Sequence, residues 1–207
     1  MSKAKPDKTE ELIQVLSADL KKGSLNLSIL FLSWMGLLVS GILLGWSVSL
    51  LTNRPVFPGW WPEPVLVVAW GAFSGYFLSR LAYPEENSIW MFWGAGASIF
   101  LWIGYNIVRF FTEFDLGHVH IGFCPGILAI SSVLFGTLGS FLLSKMSSSR
   151  PGLSAFLFLS LLFASSNIGL KFVCPVQDAS HIFLSHVVFT LTWIGLFWIP
   201  VRKKFSW

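Results

Sequence analysis

Charged residues are scarce in this 207-residue chain: Asp, Glu, Lys and Arg together make up only 12% of it. Apolar residues make up 54%, and the mean hydropathy is +0.70. So few polar side chains cannot cover the surface of a water-soluble domain, and the composition therefore excludes that class. It indicates a protein that crosses a membrane several times. The net charge of +4 is then no argument for direct nucleic-acid binding, because what matters is where Lys and Arg lie relative to the bilayer.

A secretory signal is also lacking. Residues 1–24 are polar and charged, with neither an apolar core nor a small-residue cleavage site. We therefore expect this segment to stay on the cytoplasmic side of the membrane and to remain attached to the chain.

Long apolar runs are abundant, by contrast. Crossing ~30 Å of hydrocarbon takes about 20 residues in a helix. The separators, such as "TNRPVFPGWWPEP" and "SSSRPG", carry the Pro, Gly and charge that break helices. The sequence predicts an all-α fold, a bundle of six transmembrane helices that makes up a domain of residues 25–207. The six runs lie at about 27–51, 62–82, 89–111, 121–146, 153–173 and 181–200.

The distribution of positive charge predicts the orientation. With six crossings and a cytoplasmic N-terminus, both termini are cytoplasmic, and 11 of the 14 Lys and Arg residues fall on the cytoplasmic side. The other side holds only Arg54, Arg109 and Lys171. This asymmetry is what the positive-inside rule requires. Glycine pairs within the runs, such as Gly41-x-x-x-Gly45, favour close packing of helices in one chain over a dimer interface.

Cysteine and histidine are few and clustered. The two Cys and four His all lie in "HVHIGFC", which ends at Cys124, and in "CPVQDASHIFLSH", which begins at Cys174. Cys124 lies about 25 residues before the turn that joins the fourth and fifth runs, and Cys174 about 23 after it. At a rise of ~1.5 Å per residue the two thiols reach similar heights on the outer side.

Three kinds of chemistry fit this placement, beside a purely structural packing role. The thiols form a disulfide, or they stay separate and reactive near Arg109 and Lys171, or they bind a soft metal ion. The spacing between His181 and His186 is i,i+5, which does not place both on one α-helical face and argues against a metal cage on the last helix. The candidate metal ligands are His120, Cys124, Cys174 and His181.

The same scarcity argues against enzymatic catalysis. A thiol relay needs a C-x-x-C motif or a second cysteine pair, and this chain has only two cysteines, each followed by Pro. The middle of the runs holds almost no ionisable residues, which transport routes usually need. We expect no enzyme and no cofactor beyond a soft metal ion at the cysteine pair. The alternative is a small membrane transporter or a membrane redox or metal protein.

The N-terminal arm, residues 1–24, contains a stripe of apolar residues at helical spacing and predicts a short amphipathic helix. A helix of this length is marginal alone in water, so it must bury its stripe on lipid headgroups, on the protein's own loops or in the groove of a partner. Flanking acids favour a partner with a basic rim. The stripe is Leu12, Ile13, Leu16 and Leu20, and the acids are Glu10, Glu11 and Asp19.

The layout resembles a known family. An "EELIQVLSAD" helix precedes six runs, "CP" opens the fourth, a second Cys closes the fifth, and the chain ends in "RKKFSW". Together these features resemble the NrsF-type anti-sigma factors of the bacterial inner membrane. The resemblance implies that residues 1–24 sequester an extracytoplasmic-function (ECF) sigma factor, and that Cys124 and Cys174 sense oxidant or heavy-metal stress. Its implied sigma-binding residues are Glu10, Glu11, Leu12, Ile13, Leu16 and Asp19, with Leu20 on the same stripe.

Overall fold

The computed structural model describes residues 26–53, 62–82, 89–113, 121–143 and 150–205. Every regular element in these ranges is helical. The N-terminal arm with its predicted sigma-binding residues lies outside the described residues, as do His118 and His120. The six helices of the described ranges are α1 (Leu27–Leu51), α2 (Pro62–Arg80), α3 (Ile89–Thr112), α4 (Cys124–Leu143), α5 (Pro151–Val173) and α6 (Ala179–Phe205).

Four of these helices, α1, α4, α5 and α6, are long and apolar enough to cross a membrane. The chain is therefore an all-helical membrane protein. The other two, α2 and α3, form where the sequence predicts helices, and within the part of the chain that the structure describes they do not join these four as candidate spans. Helix α2 carries Glu63 in its first turn and Arg80 in its last.

The helix ends follow local chemistry. Asn26 caps α1, its side-chain oxygen accepting a hydrogen bond of 2.9 Å from the backbone N–H of Ser28. Helix α6 runs to Phe205, five residues beyond the end of the predicted apolar run at about 200. Cations near a helix C-terminus are favoured by the helix dipole, and the guanidinium of Arg202 also lies 5.5 Å from the centre of the Trp198 ring.

Helix α5 is at the centre of the bundle. It packs against α1, α2, α4 and α6. In its most apolar stretch 83% of the residues are buried within the protein, against 28% to 33% in the other three candidate spans. Because α5 has neighbours on nearly all sides, a displacement of α5 must also move the four helices that pack against it.

Small residues allow α1 and α5 to approach at backbone distance. A Cβ atom on Gly41 would collide with the backbone carbonyl of Ser165, and one on Gly45 with that of Gly169. The prediction that the Gly41-x-x-x-Gly45 pair serves packing within one chain is confirmed. This contact ties α1 to the central helix.

Candidate thiol and metal site

Cys124 is placed by a turn that only glycine adopts easily. Gly122 has a φ of 62°, in the left-handed region, and it turns the chain into α4. Pro125 then occupies the first turn of the helix, where its missing N–H costs nothing. The Cys-Pro pair at this position therefore fixes where α4 begins and leaves the thiol at its first residue.

Cys174 is placed by the opposite end of α5. Its backbone N–H donates to the carbonyl of Leu170 at 2.8 Å and completes the last turn. The following Pro175 disfavours a helical conformation at Cys174, which is extended (φ −73°, ψ 118°). The same dipeptide therefore starts one helix and stops another, and both thiols lie at the same end of the bundle.

The histidines come from an irregular part of α6. Residues Phe183–Val188 form a π-helical segment, in which the backbone bonds run from i to i+5. The wider turn brings His181 and His186 toward each other, with ring centroids 5.6 Å apart. The argument that this i,i+5 spacing counts against a shared site was wrong, because it assumed 3.6 residues per turn and both histidines belong to one cluster.

Four side chains meet at this end of the bundle, and we call them the thiol–imidazole cluster. The sulfurs of Cys124 and Cys174 lie 3.2 Å apart, and the Cys124 thiol donates to the Cys174 sulfur. The Cys174 sulfur also lies 3.2 Å from Nε2 of His181. One ligand atom from each member lies within 4.8 Å of all the others, and all four are buried: Cys124, Cys174, His181 and His186.

A hydrogen-bond chain sets the tautomer of His181. The hydroxyl of Ser185 donates to the carbonyl of Ile121 at 2.7 Å, so its single proton is used there. Nδ1 of His181 lies 3.4 Å from the same hydroxyl oxygen and therefore acts as the donor. This leaves the lone pair of Nε2 facing the sulfur of Cys174.

His186 is the most deeply buried member of the cluster, at 0% exposure. It interacts electrostatically with Cys174, but neither ring nitrogen is in hydrogen-bonding geometry with a described residue. A buried polar group without a partner costs ~1–3 kcal/mol. The cluster therefore contains an imidazole whose ring nitrogens make no hydrogen bond within the described part of the chain.

Cys174 lies between the spans, in the link from α5 to α6. The hydrogen bond from Cys124 has the largest effect on the pKa of the Cys174 thiol, and it lowers that pKa. Burial raises the pKa, and the hydrogen bond with His181 lowers it again. The net pKa of the Cys174 thiol is well below its ordinary value. A lower pKa favours the thiolate, which is the form that attacks oxidants and binds soft metals.

A buried cluster of charged side chains lies next to the segment that links α5 to α6. The ammonium of Lys171 pairs with the carboxylate of Glu63, and Nη1 of Arg109 lies 4.0 Å from the same carboxylate. Nη2 of Arg109 also pairs with Glu113 at 2.9 Å. Three helices, α2, α3 and α5, are joined in this way at their ends.

Gln177 connects the charges to the cysteine. Its side-chain oxygen accepts from Lys171 at 3.3 Å, and its side-chain nitrogen donates to the backbone carbonyl of Cys174 at 2.9 Å. Arg109 and Lys171 both lie close to Glu63, and Lys171 also interacts electrostatically with Cys174, so the predicted effect of these two cations on the thiols stays a prediction. Sequence analysis overlooked Glu63, although an acid at the same height as these two cations was the available signal.

The structure brings together three of the four predicted metal ligands, Cys124, Cys174 and His181. The fourth, His120, lies outside the described residues. His186 takes part instead, and sequence reasoning missed it because it used α-helical spacing. Comparison with protein-family models, curated proteins and solved structures gives no match to this chain.

Proposed function

We propose that this chain is a six-span anti-sigma factor of the bacterial inner membrane, which acts without catalysis. Its cytoplasmic residues 1–24 hold an ECF sigma factor, and its thiol–imidazole cluster senses oxidant or soft metal on the outer side. The single observation that carries the sensing role is the 3.2 Å contact between two buried thiols, one at the start of α4 and one just after the end of α5. Two sulfurs so close respond together to an oxidant or a metal.

The distribution of charge supports the orientation. The basic residues Arg202, Lys203 and Lys204 lie in the last turn of α6, at the opposite end of that helix from His181. The indole N–H of Trp198 donates to the carbonyl of Gly152 at 2.9 Å and joins the same end of α6 to the start of α5. A basic end in the cytoplasm puts the cluster on the outer side.

The packing of α5 supplies a route for the signal. A new bond at Cys174 acts on the end of α5, and α5 is held against α1 at backbone distance through Gly41 and Gly45. Helix α1 begins at Leu27, directly after the arm. Movement of α5 therefore shifts α1 and changes how the arm is presented to its partner.

The chemistry balances with a peroxide as the oxidant. Two thiols lose two protons and two electrons and form the disulfide, and one hydrogen peroxide takes these up to give two waters. Turning a partner from 99% bound to 99% free needs a shift of ~5.5 kcal/mol. A disulfide supplies ~2–4 kcal/mol and a thiolate-bound metal more, so both signals have free energies of the required order.

Affinity purification of the tagged, full-length protein from its native membrane tests the proposal. We expect the full chain to capture a sigma factor and a chain without residues 1–24 to capture none. Equal capture by both would overturn the role of the arm.

A second comparison tests the sensor. The double variant Cys124→Ser/Cys174→Ser should still capture the sigma factor but should no longer release it on treatment with peroxide or Cd²⁺. Ser131→Ala is the matched control, since that hydroxyl donates only within α4, to the carbonyls of Ile127 and Leu128. Release from the cysteine variant as from the control would refute sensing by the thiols.

The orientation has its own test. In the chain without native cysteines, a single Ser2→Cys provides a thiol in the arm. A membrane-impermeant maleimide should label this thiol only after the cells are lysed. Labelling of intact cells would place the arm outside and overturn the proposal.

A further inference from the structure

We propose that the thiol–imidazole cluster is a four-coordinate site for one divalent soft or borderline metal ion, Zn²⁺ or Cd²⁺. Its ligands are the two thiolates of Cys124 and Cys174 and one nitrogen each of His181 and His186. This inference names what the cluster senses and in that respect rests on the proposed function. It replaces the sequence-based ligand His120 by His186.

The separations between the ligand atoms come within about 1 Å of those in such a site. With sulfur at ~2.3 Å and nitrogen at ~2.0 Å from one ion at tetrahedral angles, two sulfurs stand ~3.8 Å apart and a sulfur and a nitrogen ~3.5 Å apart. The sulfurs of Cys124 and Cys174 are 3.2 Å apart, and Nε2 of His181 is 3.2 Å from the Cys174 sulfur. The widest pair in the cluster is within 4.8 Å. Binding an ion would move the two sulfurs apart by roughly 0.6 Å and bring the widest pair together by up to about 1 Å.

Each histidine gives a separate argument. His181 donates from Nδ1 to Ser185 and turns the lone pair of Nε2 toward Cys174. A metal-binding histidine ordinarily uses its other nitrogen in this way, and the outer partner fixes its tautomer. His186 is fully buried, and neither ring nitrogen is in hydrogen-bonding geometry with a described residue, although the ring interacts electrostatically with Cys174. A metal ion would take the lone pair of one of these nitrogens.

Charge and donor type select the metal. Two thiolates and two neutral imidazoles carry a charge of −2, so a divalent ion makes the site neutral, as burial requires. On binding, one Zn²⁺ and two thiols give a zinc bis-thiolate and release two protons. Sulfur and nitrogen donors without carboxylates favour Zn²⁺ or Cd²⁺ over Mg²⁺ and Ca²⁺.

The test uses Co²⁺ as a spectroscopic probe of the reduced, purified full-length protein in detergent, together with Zn²⁺ competition. Wild type should bind one Co²⁺ per chain, with thiolate-to-cobalt charge transfer and the intense visible bands of tetrahedral Co²⁺. His186→Gln and Cys124→Ser should each weaken binding at least tenfold, and both should change the spectrum. His120→Gln is the matched control and should bind like wild type.

Two more variants keep the test decisive if His186→Gln folds poorly. His186→Cys should restore binding and raise the charge-transfer intensity, since it adds a third thiolate. Ser185→Ala should weaken binding about tenfold with an unchanged tetrahedral spectrum, because Ser185 contacts His181 and is not itself a ligand. No binding by wild type, unweakened binding by His186→Gln, or loss on His120→Gln would each overturn the proposal.

A failure of the metal-site proposal can be distinguished from a failure of the proposed function. Metal binding is measured on the purified chain without any partner. Sigma capture depends on residues 1–24, and peroxide release depends on the thiols alone. A chain that releases its partner on oxidation but binds no Co²⁺ would refute the metal site and leave the sensor intact.

Discussion

Replacing Glu63 by Gln should strongly destabilise the protein, although it removes only one charge. The carboxylate of Glu63 is 1% exposed and faces Lys171 and Arg109, which are 7% and 6% exposed. At the 4.0 Å that separates Glu63 from Arg109, two unit charges attract by ~4 kcal/mol at an effective dielectric constant of about 20. Leaving buried cations without their counter-charge typically costs ~3–5 kcal/mol. We expect a loss of this order in the free energy of unfolding.

Glu113→Gln is the matched control. Glu113 lies closer to Arg109, at 2.9 Å, but its side chain is 40% exposed. Exposed pairs contribute only ~0.2–1 kcal/mol, so the shorter ion pair should matter less than the longer one. Unfolding of both variants in detergent by titration with SDS, followed by tryptophan fluorescence, measures the difference.

Burial, and not distance, decides the cost in this reasoning. Equal losses for Glu63→Gln and Glu113→Gln would refute it. The double variant Glu63→Gln/Lys171→Met should recover part of the loss, because a neutral pair replaces a stranded cation. Strict additivity of the two changes would show that the pair is not coupled.

Gly41→Val should lower thermal stability sharply. Gly36→Val should change it little, because a Cβ atom on Gly36 would have nothing within 4 Å. Similar changes in melting temperature for the two variants would contradict the close packing of α1 and α5. Asn167→Ala and Thr190→Val each remove the 2.9 Å hydrogen bond between α5 and α6. Each should therefore lower the free energy of unfolding by ~1 kcal/mol. Additive losses in the double variant would argue against this bond. Peroxide should remove both thiols together within one chain, and prior Zn²⁺ should slow that loss in a thiol-counting assay; protection that persists in Cys174→Ser would show that Zn²⁺ acts elsewhere.

The helices could be predicted because apolar length and helix-breaking residues are local properties. The runs at 27–51 and 153–173 match α1 and α5 to within two residues. The matched height of Cys124 and Cys174 followed from counting residues on either side of one short turn. That arithmetic needs only the rise of an α-helix.

The rest of the site depends on contacts between distant segments. His186 joins the cluster because the backbone of α6 widens at Phe183–Val188, and helical periodicity assumes a constant turn. Glu63 stands in "WPEP", where Pro and charge indicate a turn. Its partners Arg109 and Lys171 are 46 and 108 residues away in the chain, and pairing them requires the positions of three helices.

The bilayer touches the molecule unevenly. Helices α1, α4 and α6 expose most of their apolar stretches, while α5 is enclosed. A thinner or thicker membrane therefore tilts the outer helices first, and α5 experiences it only through them. The helix that ends just before Cys174 therefore responds to the bilayer mainly through α1, which contacts it at backbone distance, and less through lipid contacts of its own.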